Sequence, residues 1–416
     1  MIDQKRENLL NLALAATEVE RRRVPELSAG YNSYSKTWEV IVQYQGDLAF
    51  LEEQGVRVTL LLFSYAILLV PESLMDYVTG LPQITYLEKP KLLYFADAFV
   101  RSISCITPVQ EGVMGLSGNG VLLACIDSGV DYAHPDFCAP DGTSRIAILW
   151  DQTIPGNPPM GYALGSVYTR QQINEALASS TPEERFALVP SRDVTGHGTA
   201  VLGIAAGNGR SSADAAMRGV APEATLVVVK LGNPDPADLP RTSQLLQAVD
   251  FCVRYALLVE RPLVINLSFG NNYGSHSGDS LLETYLNAVS NLGQNVICIG
   301  AGNEGDTGRH YTGNLKSDRK SSGQTQTVRP TSDPAATSAV SATADRAVSV
   351  EFQVGAYESS FSLQIWKVYG DEISIELISP GGIRSGTLSP VLGTARLTLG
   401  PTELLLFYGM PSPYSQ

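Results

Sequence analysis

Cysteine is scarce in this chain: five in 416 residues, Cys105, Cys125, Cys138, Cys252 and Cys298, odd in number and nowhere spaced C-x-x-C. Neither a disulfide scaffold nor a cysteine-ligated zinc module is expected. Cys125 and Cys298 fall inside apolar runs, where a thiol behaves as a small hydrophobe. Positive charge is short as well: 29 Lys and Arg stand against 42 Asp and Glu, a net charge of −13. That balance argues against a nucleic-acid partner, whose phosphates need clustered Lys and Arg. The one dense basic run, Arg21-Arg22-Arg23, follows a helical stretch and reads as a solvated helix end. Long hydrophobic runs are missing too. The longest, Val58 to Val70, contains Ser64 and Tyr65 and falls short of the roughly 20 apolar residues of a membrane-spanning helix. Met1-Ile2-Asp3-Gln4-Lys5-Arg6-Glu7 lacks the basic start, apolar centre and small-residue cleavage site of a secretory signal, so synthesis in the cytoplasm without a membrane partner is expected.

What is present divides the chain, which is too long for one hydrophobic core. Residues 1–35 hold a helical stretch over 4–23, rich in Leu, Ala, Glu and Arg, and a linker with Pro25 and Gly30. Residues 36–95 form a second segment. Thr37 to Tyr44 alternates as a strand, and Asp47 to Gln54 is a short helix closed by Gly55. Val56 to Leu62 and Ala66 to Val70 are strands, Pro71 starts a helix through Val78, and Ile84 to Leu87 is a last strand. The order β-α-β-β-α-β is the ferredoxin-like split unit. Over 96–335, strands at Val121 to Ile126, Thr225 to Lys230, Leu263 to Leu267 and Val296 to Ile299 alternate with helices at Gly198 to Ala206, Ser243 to Val259 and Asp279 to Leu292. Such near-continuous apolar strands predict an α/β fold, a parallel sheet with helices on both faces. Active sites of these sheets lie at the carboxyl ends of the strands. Over 336–416 the rhythm turns to period two. Strands are expected at Ala347 to Gln353, Phe361 to Val368, Ile373 to Leu377, Ala395 to Leu399 and Glu403 to Phe407, as in a β-sandwich or jelly roll.

Three polar groups fall at the ends of these elements. Asp127 closes a strand in Cys125-Ile126-Asp127-Ser128-Gly129, His197 opens a small-residue helix in Thr195-Gly196-His197-Gly198-Thr199-Ala200, and Asn303 follows a strand in Gly300-Ala301-Gly302-Asn303-Glu304-Gly305. A helix start disfavours imidazolium and leaves the ring available as a general base. A carboxylate such as Asp127 can fix the imidazole tautomer and stabilise the charge formed during attack. An Asn amide can donate to an oxyanion, a contact worth roughly 3 kcal/mol in the transition state. Each has a plainer reading: a structural His, an Asx turn for which Asp131 is an equal candidate, and a left-handed turn beside Gly302. The order Asp, His, Asn in one chain favours the hydrolase.

These D-S-G, H-G-T and G-N-E segments resemble those of the subtilisin-like serine proteases, over roughly residues 115 to 310. More narrowly, Gly142-Thr143-Ser144-Arg145-Ile146 and Leu149-Trp150-Asp151-Gln152-Thr153 resemble the clostridial Csp-type germination proteases. The resemblance implies a serine endopeptidase acting on a protein substrate, with Asp127 orienting His197, His197 as base and Asn303 at the oxyanion. It implies that Ser268-Phe269-Gly270 forms a wall of the S1 pocket whose backbone pairs with substrate as an added strand, with Gly302 on the opposite wall. It makes 36–95 a propeptide bound in the chain's own active site, cut between Pro90 and Cys105 at a bond the sequence does not single out. A stably attached regulatory domain is the alternative. For the narrower family it further implies a jelly-roll insertion, a zymogen substrate and packaging in the spore. Many subtilisins bind calcium, but with no D-x-D-x-D-G loop here no metal or other cofactor is expected.

The nucleophile is the missing part. The family carries it in G-T-S-x-A-x-P, and no such segment occurs. Ser385-Gly386-Thr387-Leu388-Ser389-Pro390 has Leu388 where Ser is required, and Gly142-Thr143-Ser144 precedes the His; both read as turns. The expectation is therefore the amino-terminal part of a longer protease, inactive as it stands. A catalytically dead scaffold and a two-chain enzyme are the alternatives.

Overall fold

Alternate residues of the central strands face two different cores, and this alternation sets the layers of the molecule. The structure, a computed structural model, describes residues 4–92, 94–95, 106–111, 115–212, 217–233, 239–304, 308, 310–313, 326–328, 338–343, 347–355, 358–367, 371 and 373–409. Most of the expected cut segment, Cys105 and the closing Pro411 to Gln416 lie outside them.

Two helices, α1 (Asn8–Ala15) and α2 (Glu18–Arg23), stand where one helical stretch was expected. Thr17 divides them: its hydroxyl accepts from Glu20 N while the Glu20 carboxylate accepts from Thr17 N, a capping box that starts a new helix. Arg21, read as solvated, is buried instead. Its guanidinium lies 4.4 Å from the Tyr31 ring centroid and donates to Ala13 O, because its long stem can cover apolar surface while its head stays hydrogen-bonded. Arg22 and Arg23 are exposed.

The next elements run β1 (Thr37–Tyr44), α3 (Phe50–Glu53), β2 (Arg57–Leu60), β3 (Tyr65–Pro71), α4 (Met75–Gly80) and β4 (Ile84–Glu88). This is the expected β-α-β-β-α-β order, with antiparallel pairs β4·β1, β1·β3 and β3·β2. Val40 and Val42 of β1 face an inner core with Leu10, Leu51, Leu68 and Val78. Ile41, Tyr65, Ile67 and Tyr86 face the other way, into the core of the larger sheet. A two-residue strand, β5 (Tyr94–Phe95), follows.

The larger sheet comprises β6 (Leu122–Asp127), β7 (Ile146–Asp151), β8 (Ser166–Thr169), β9 (Thr225–Lys230), β10 (Leu263–Leu267) and β12 (Asn295–Ile299), in the order β12-β10-β6-β9-β7-β8. All neighbours are parallel except β7·β8. Between these strands lie α5 (His197–Ala206), α6 (Thr242–Leu258), the short β11 (Phe269–Gly270) and α7 (Leu281–Ser290). In β6, Leu122, Ala124 and Ile126 join Leu246, Val249 and Val253 of α6. Leu123 and Cys125 point to the opposite face, against Leu202 and Ala206 of α5. Burial of both faces explains the unbroken apolar runs. Cys298, expected as a strand hydrophobe like Cys125, is exposed, because β12 is the edge of the sheet among the described residues.

The amino-terminal sheet docks on α6 and α7 through polar as well as apolar contacts. Glu88 accepts from Leu281 N at 2.9 Å, Asp250 accepts from Leu62 N at 2.9 Å, and Glu39 accepts from Arg241 Nη2 at 3.2 Å and from Ser243 Oγ. Glu39 and Glu88 thus place carboxylates at the positive ends of α6 and α7.

Residues Ala301–Leu363 form a compact unit of their own. Its strands β13 (Gln326–Val328), β14 (Ser338–Thr343) and β15 (Ala347–Val350) pair antiparallel. In the main unit β16 (Gly393–Leu399) and β17 (Thr402–Tyr408) form a hairpin. The strands expected over Phe361 to Val368 and Ile373 to Leu377 do not form among the described residues. Phe361, Leu363 and Ile365 are exposed, and Ile375 makes only an isolated bridge to Leu388. Period-two patterning alone does not make a strand without a ladder partner.

Candidate active site

The carboxyl end of β6 and the amino end of α5 meet. Gly198 permits the approach: a Cβ there would stand 2.1 Å from Gly129 O and 3.1 Å from Asp127 Oδ1. Gly196 turns the chain into the helix with a left-handed φ of 75°. The result is an Nδ1 of His197 lying 2.6 Å from Asp127 Oδ1, with the His side chain 9% exposed and the Asp 1%. Ser128 N donates to the same oxygen at 2.7 Å, while Asp127 Oδ2 is buried without a partner among the described residues. A carboxylate only accepts, so the proton shared by the two belongs on Nδ1. Asp131, the other candidate, makes the Asx turn: its Oδ1 accepts from Ala133 N at 3.1 Å.

The loop after β10 carries Ser268, Phe269 and Gly270. Ser268 Oγ accepts from Asn266 Nδ2 at 2.8 Å, and Phe269 is buried. β11 pairs antiparallel with β5, Phe269 opposite Phe95 and Gly270 opposite Tyr94. Asn271 Nδ2 donates to Leu92 O at 3.0 Å, and on the other side Thr242 N donates to Lys91 O at 2.8 Å. The backbone read from sequence as a strand-accepting wall thus holds a strand of the chain itself, by β-augmentation. Gly302 and Asn303 belong to the unit Ala301–Leu363, where Gly302 has a φ of 87° and Asn303 is exposed.

Sequence reading missed the residues that surround the pair. Asp193, Thr195, Ser128 and Thr199 form a hydrogen-bonded cluster around the start of α5. The available signal was an acidic residue ahead of a helix whose start has no side-chain cap of its own. The segments matching the narrower family are structural. Arg145 donates to Ala206 O at 2.7 Å and Ala224 O at 2.9 Å, with burial pulling its pKa down to about 10. Asp151 accepts from Ser191 Oγ at 2.6 Å. No helix among the described residues is long and apolar enough to cross a membrane.

Comparison with known proteins agrees with this geometry. The Subtilase family matches residues 118–402, and the Csp protease B prodomain matches residues 4–91. The CspB protease of Clostridium perfringens is similar in structure, with a TM-score of 0.59 and 27% identity, covering 76% of this chain and 58% of that one. Subtilisin E of Bacillus subtilis is 26% identical over 232 residues, 56% of this chain and 47% of that protein. The major intracellular serine protease of Bacillus subtilis is 29% identical over 205 residues, 49% of each. The chain spans about half the length of the curated relatives it matches. With a family match over most of its length, a Csp-type prodomain ahead of it and a His–Asp pair at the carboxyl edge of a parallel sheet, the chain belongs to the subtilase family of serine proteases.

Proposed function

We propose that this chain forms part of a serine endopeptidase that cleaves protein substrates, with His197 as general base and Asp127 holding its tautomer. The observation that carries the reading is the 2.6 Å contact between His197 Nδ1 and Asp127 Oδ1. In the proposed step a serine hydroxyl gives its proton to Nε2 as its oxygen attacks the scissile carbonyl. Asp127 stabilises the imidazolium, which then returns the proton to the leaving amine. Asn303 is assigned the oxyanion on its G-N-E context. Ser268, Phe269 and Gly270, with Gly302, are assigned the pocket at the cleaved bond. No G-T-S-x-A-x-P segment lies in these 416 residues, so the serine is assigned to polypeptide outside them.

The amino-terminal unit and β5 are assigned the role of a propeptide, its tail seated where substrate would lie. The match to a Csp protease B prodomain supports a zymogen-activating protease of spore germination, which cuts the pro-form of a cortex-lytic enzyme. Proton transfer of this kind needs no metal, so activity should survive chelators and fall to serine-directed phosphonylating reagents. The test is the full-length gene product against a denatured protein substrate. Cleavage lost on His197→Ala supports the endopeptidase. A folded, reagent-insensitive protein without cleavage would mark a catalytically dead scaffold instead.

A further inference from the structure

The carboxylate of Asp193 stands between the two segments that carry the His–Asp pair. Its Oδ1 accepts from Ser128 Oγ at 2.8 Å, Thr195 Oγ1 at 3.1 Å and Gly196 N at 3.0 Å. Its Oδ2 accepts from Thr199 N at 2.8 Å and Thr199 Oγ1 at 2.7 Å. These donors come from separate stretches of chain. Ser128 belongs to the turn that carries Asp127, and its Oγ also accepts from Gly198 N at 2.9 Å. Thr195, Gly196 and Thr199 flank His197, whose own N–H donates to Thr195 Oγ1 at 3.1 Å. Thr199 Oγ1 in turn accepts from Asp131 N at 2.9 Å, a second tie to the same turn.

Burial raises the Asp193 pKa, but the hydrogen bonds from Thr199, Ser128 and Thr195 outweigh it and hold the carboxyl below its ordinary value. Asp193 is therefore an anion near neutral pH, and charge-assisted bonds of this kind are roughly twice as strong as neutral ones. Without it, Ser128 Oγ, Gly196 N and Thr199 N lose their shared acceptor, and the Asp127 turn is tied to the first turn of α5 by fewer bonds, those of Gly198 N to Ser128 Oγ and of Asp131 N to Thr199 Oγ1. Hydrogen-bond reach ends near 3.2 Å, so a slip of somewhat under 1 Å would break a 2.6 Å contact.

We propose that Asp193 is a positioning residue that clamps the turn bearing Asp127 to the helix bearing His197, keeping the Nδ1–H of His197 hydrogen-bonded to the Asp127 carboxylate. This inference rests on the endopeptidase reading. Its first test needs no nucleophile: proton NMR of the 15N-labelled 416-residue chain, following the downfield His197 Nδ1–H resonance and the imidazole titration. The parent should show the resonance. Asp193→Asn should lose it and titrate at lower pH while remaining folded by thermal melt. In the full-length gene product the same change should lower kcat by ~100-fold, the scale of a 1 Å misplacement, with KM within about threefold. Should Asp193→Asn fail to fold, Ser128→Ala removes the Ser128 contacts with Asp193, Thr195 and Gly198 but leaves Asp193 its bonds from Gly196 and Thr199, and should weaken the resonance and reduce kcat in the same direction. A folded variant with unchanged resonance, midpoint and kcat overturns the clamp and leaves the endopeptidase reading standing. A parent without the resonance whose activity survives His197→Ala removes the endopeptidase reading, and the clamp with it.

Discussion

Phe95 is paired with Phe269, and Tyr94 with Gly270, in an antiparallel ladder whose β5 strand runs toward Ser268 and the carboxyl edge of the sheet. On the propeptide reading, the strand paired with β11 precedes the bond that would be presented to His197. In the full-length gene product the maturation cut is expected on the carboxyl side of Phe95, between residues 96 and 105. Amino-terminal sequencing of the processed fragment reads this directly. A new terminus at or before Phe95 would overturn the assignment of β5 as the bound tail.

Glu88 is buried between Lys91 and the start of α7, accepting from Lys91 Nζ and from Leu281 N. Burial raises its pKa, opposed by the Lys91 charge. Glu88→Ala leaves Leu281 N without its acceptor and Lys91 with Glu7 alone, 2.9 Å away. Breaking a buried pair costs ~3–5 kcal/mol, and the remaining Glu7 contact puts the expected loss at the low end, ~3 kcal/mol. Urea melts of the chain should show this as a lowered midpoint with an unchanged slope. A loss under ~1 kcal/mol would mean that the carboxylate contributes little at this interface.

Lys89 gives a pH signature to the same region. Its Nζ donates to Ala29 O at 3.3 Å, to Pro90 O at 3.2 Å and to Glu26 O, and it is buried. Burial pulls its pKa down to about 7 from an ordinary 10.5, against the charge of Glu7, which pulls it up. Between those two values the unfolded chain holds a proton that the folded chain has shed. Stability therefore rises with pH across that window, and below about 7 this residue contributes no slope. Denaturation midpoints for the parent and Lys89→Met, taken at several pH values across the window, should diverge in slope, the parent rising more steeply. Parallel curves would show that Lys89 stays protonated in the fold.

The sequence carried the layers and the pair more clearly than it carried their supports. Val40 and Val42 alternate with Ile41 as residues do in a strand with two different faces, and β6 is apolar from Leu122 to Ile126 because both of its faces are covered. Asp127 and His197 stood out because each ends an element in a short motif of small residues. Asp193 did not, since its partners are hydroxyls and backbone amides that converge only once β6 and α5 are packed. Thr17 was hidden by local propensity: Glu18, Val19 and Glu20 continue a helical pattern, and only the capping contacts reveal the break. Cys298 and Phe361 were misjudged for a related reason. Apolar patterning predicts an element but not the neighbour that covers it, and β12 is an edge among the described residues.

Gly198 provides the sharpest test of how the pair is held. At a helix position Ala is better than Gly by ~1 kcal/mol in intrinsic propensity, so Gly198→Ala would stabilise α5 if nothing touched it. Its Cβ, however, would stand 2.1 Å from Gly129 O and 3.1 Å from both Cβ and Oδ1 of Asp127. Backbone oxygens of a packed turn cannot yield by about 1 Å without moving the strand end, and overpacking of this sort costs ~1–3 kcal/mol or more. The clash should win. Gly198→Ala is expected to lower the melting temperature despite its better propensity and to separate Nδ1 of His197 from Asp127, abolishing the downfield Nδ1–H resonance. A variant that melts higher than the parent with that resonance intact would show that α5 can back away from β6 without loss, and that the glycine is no condition for the contact.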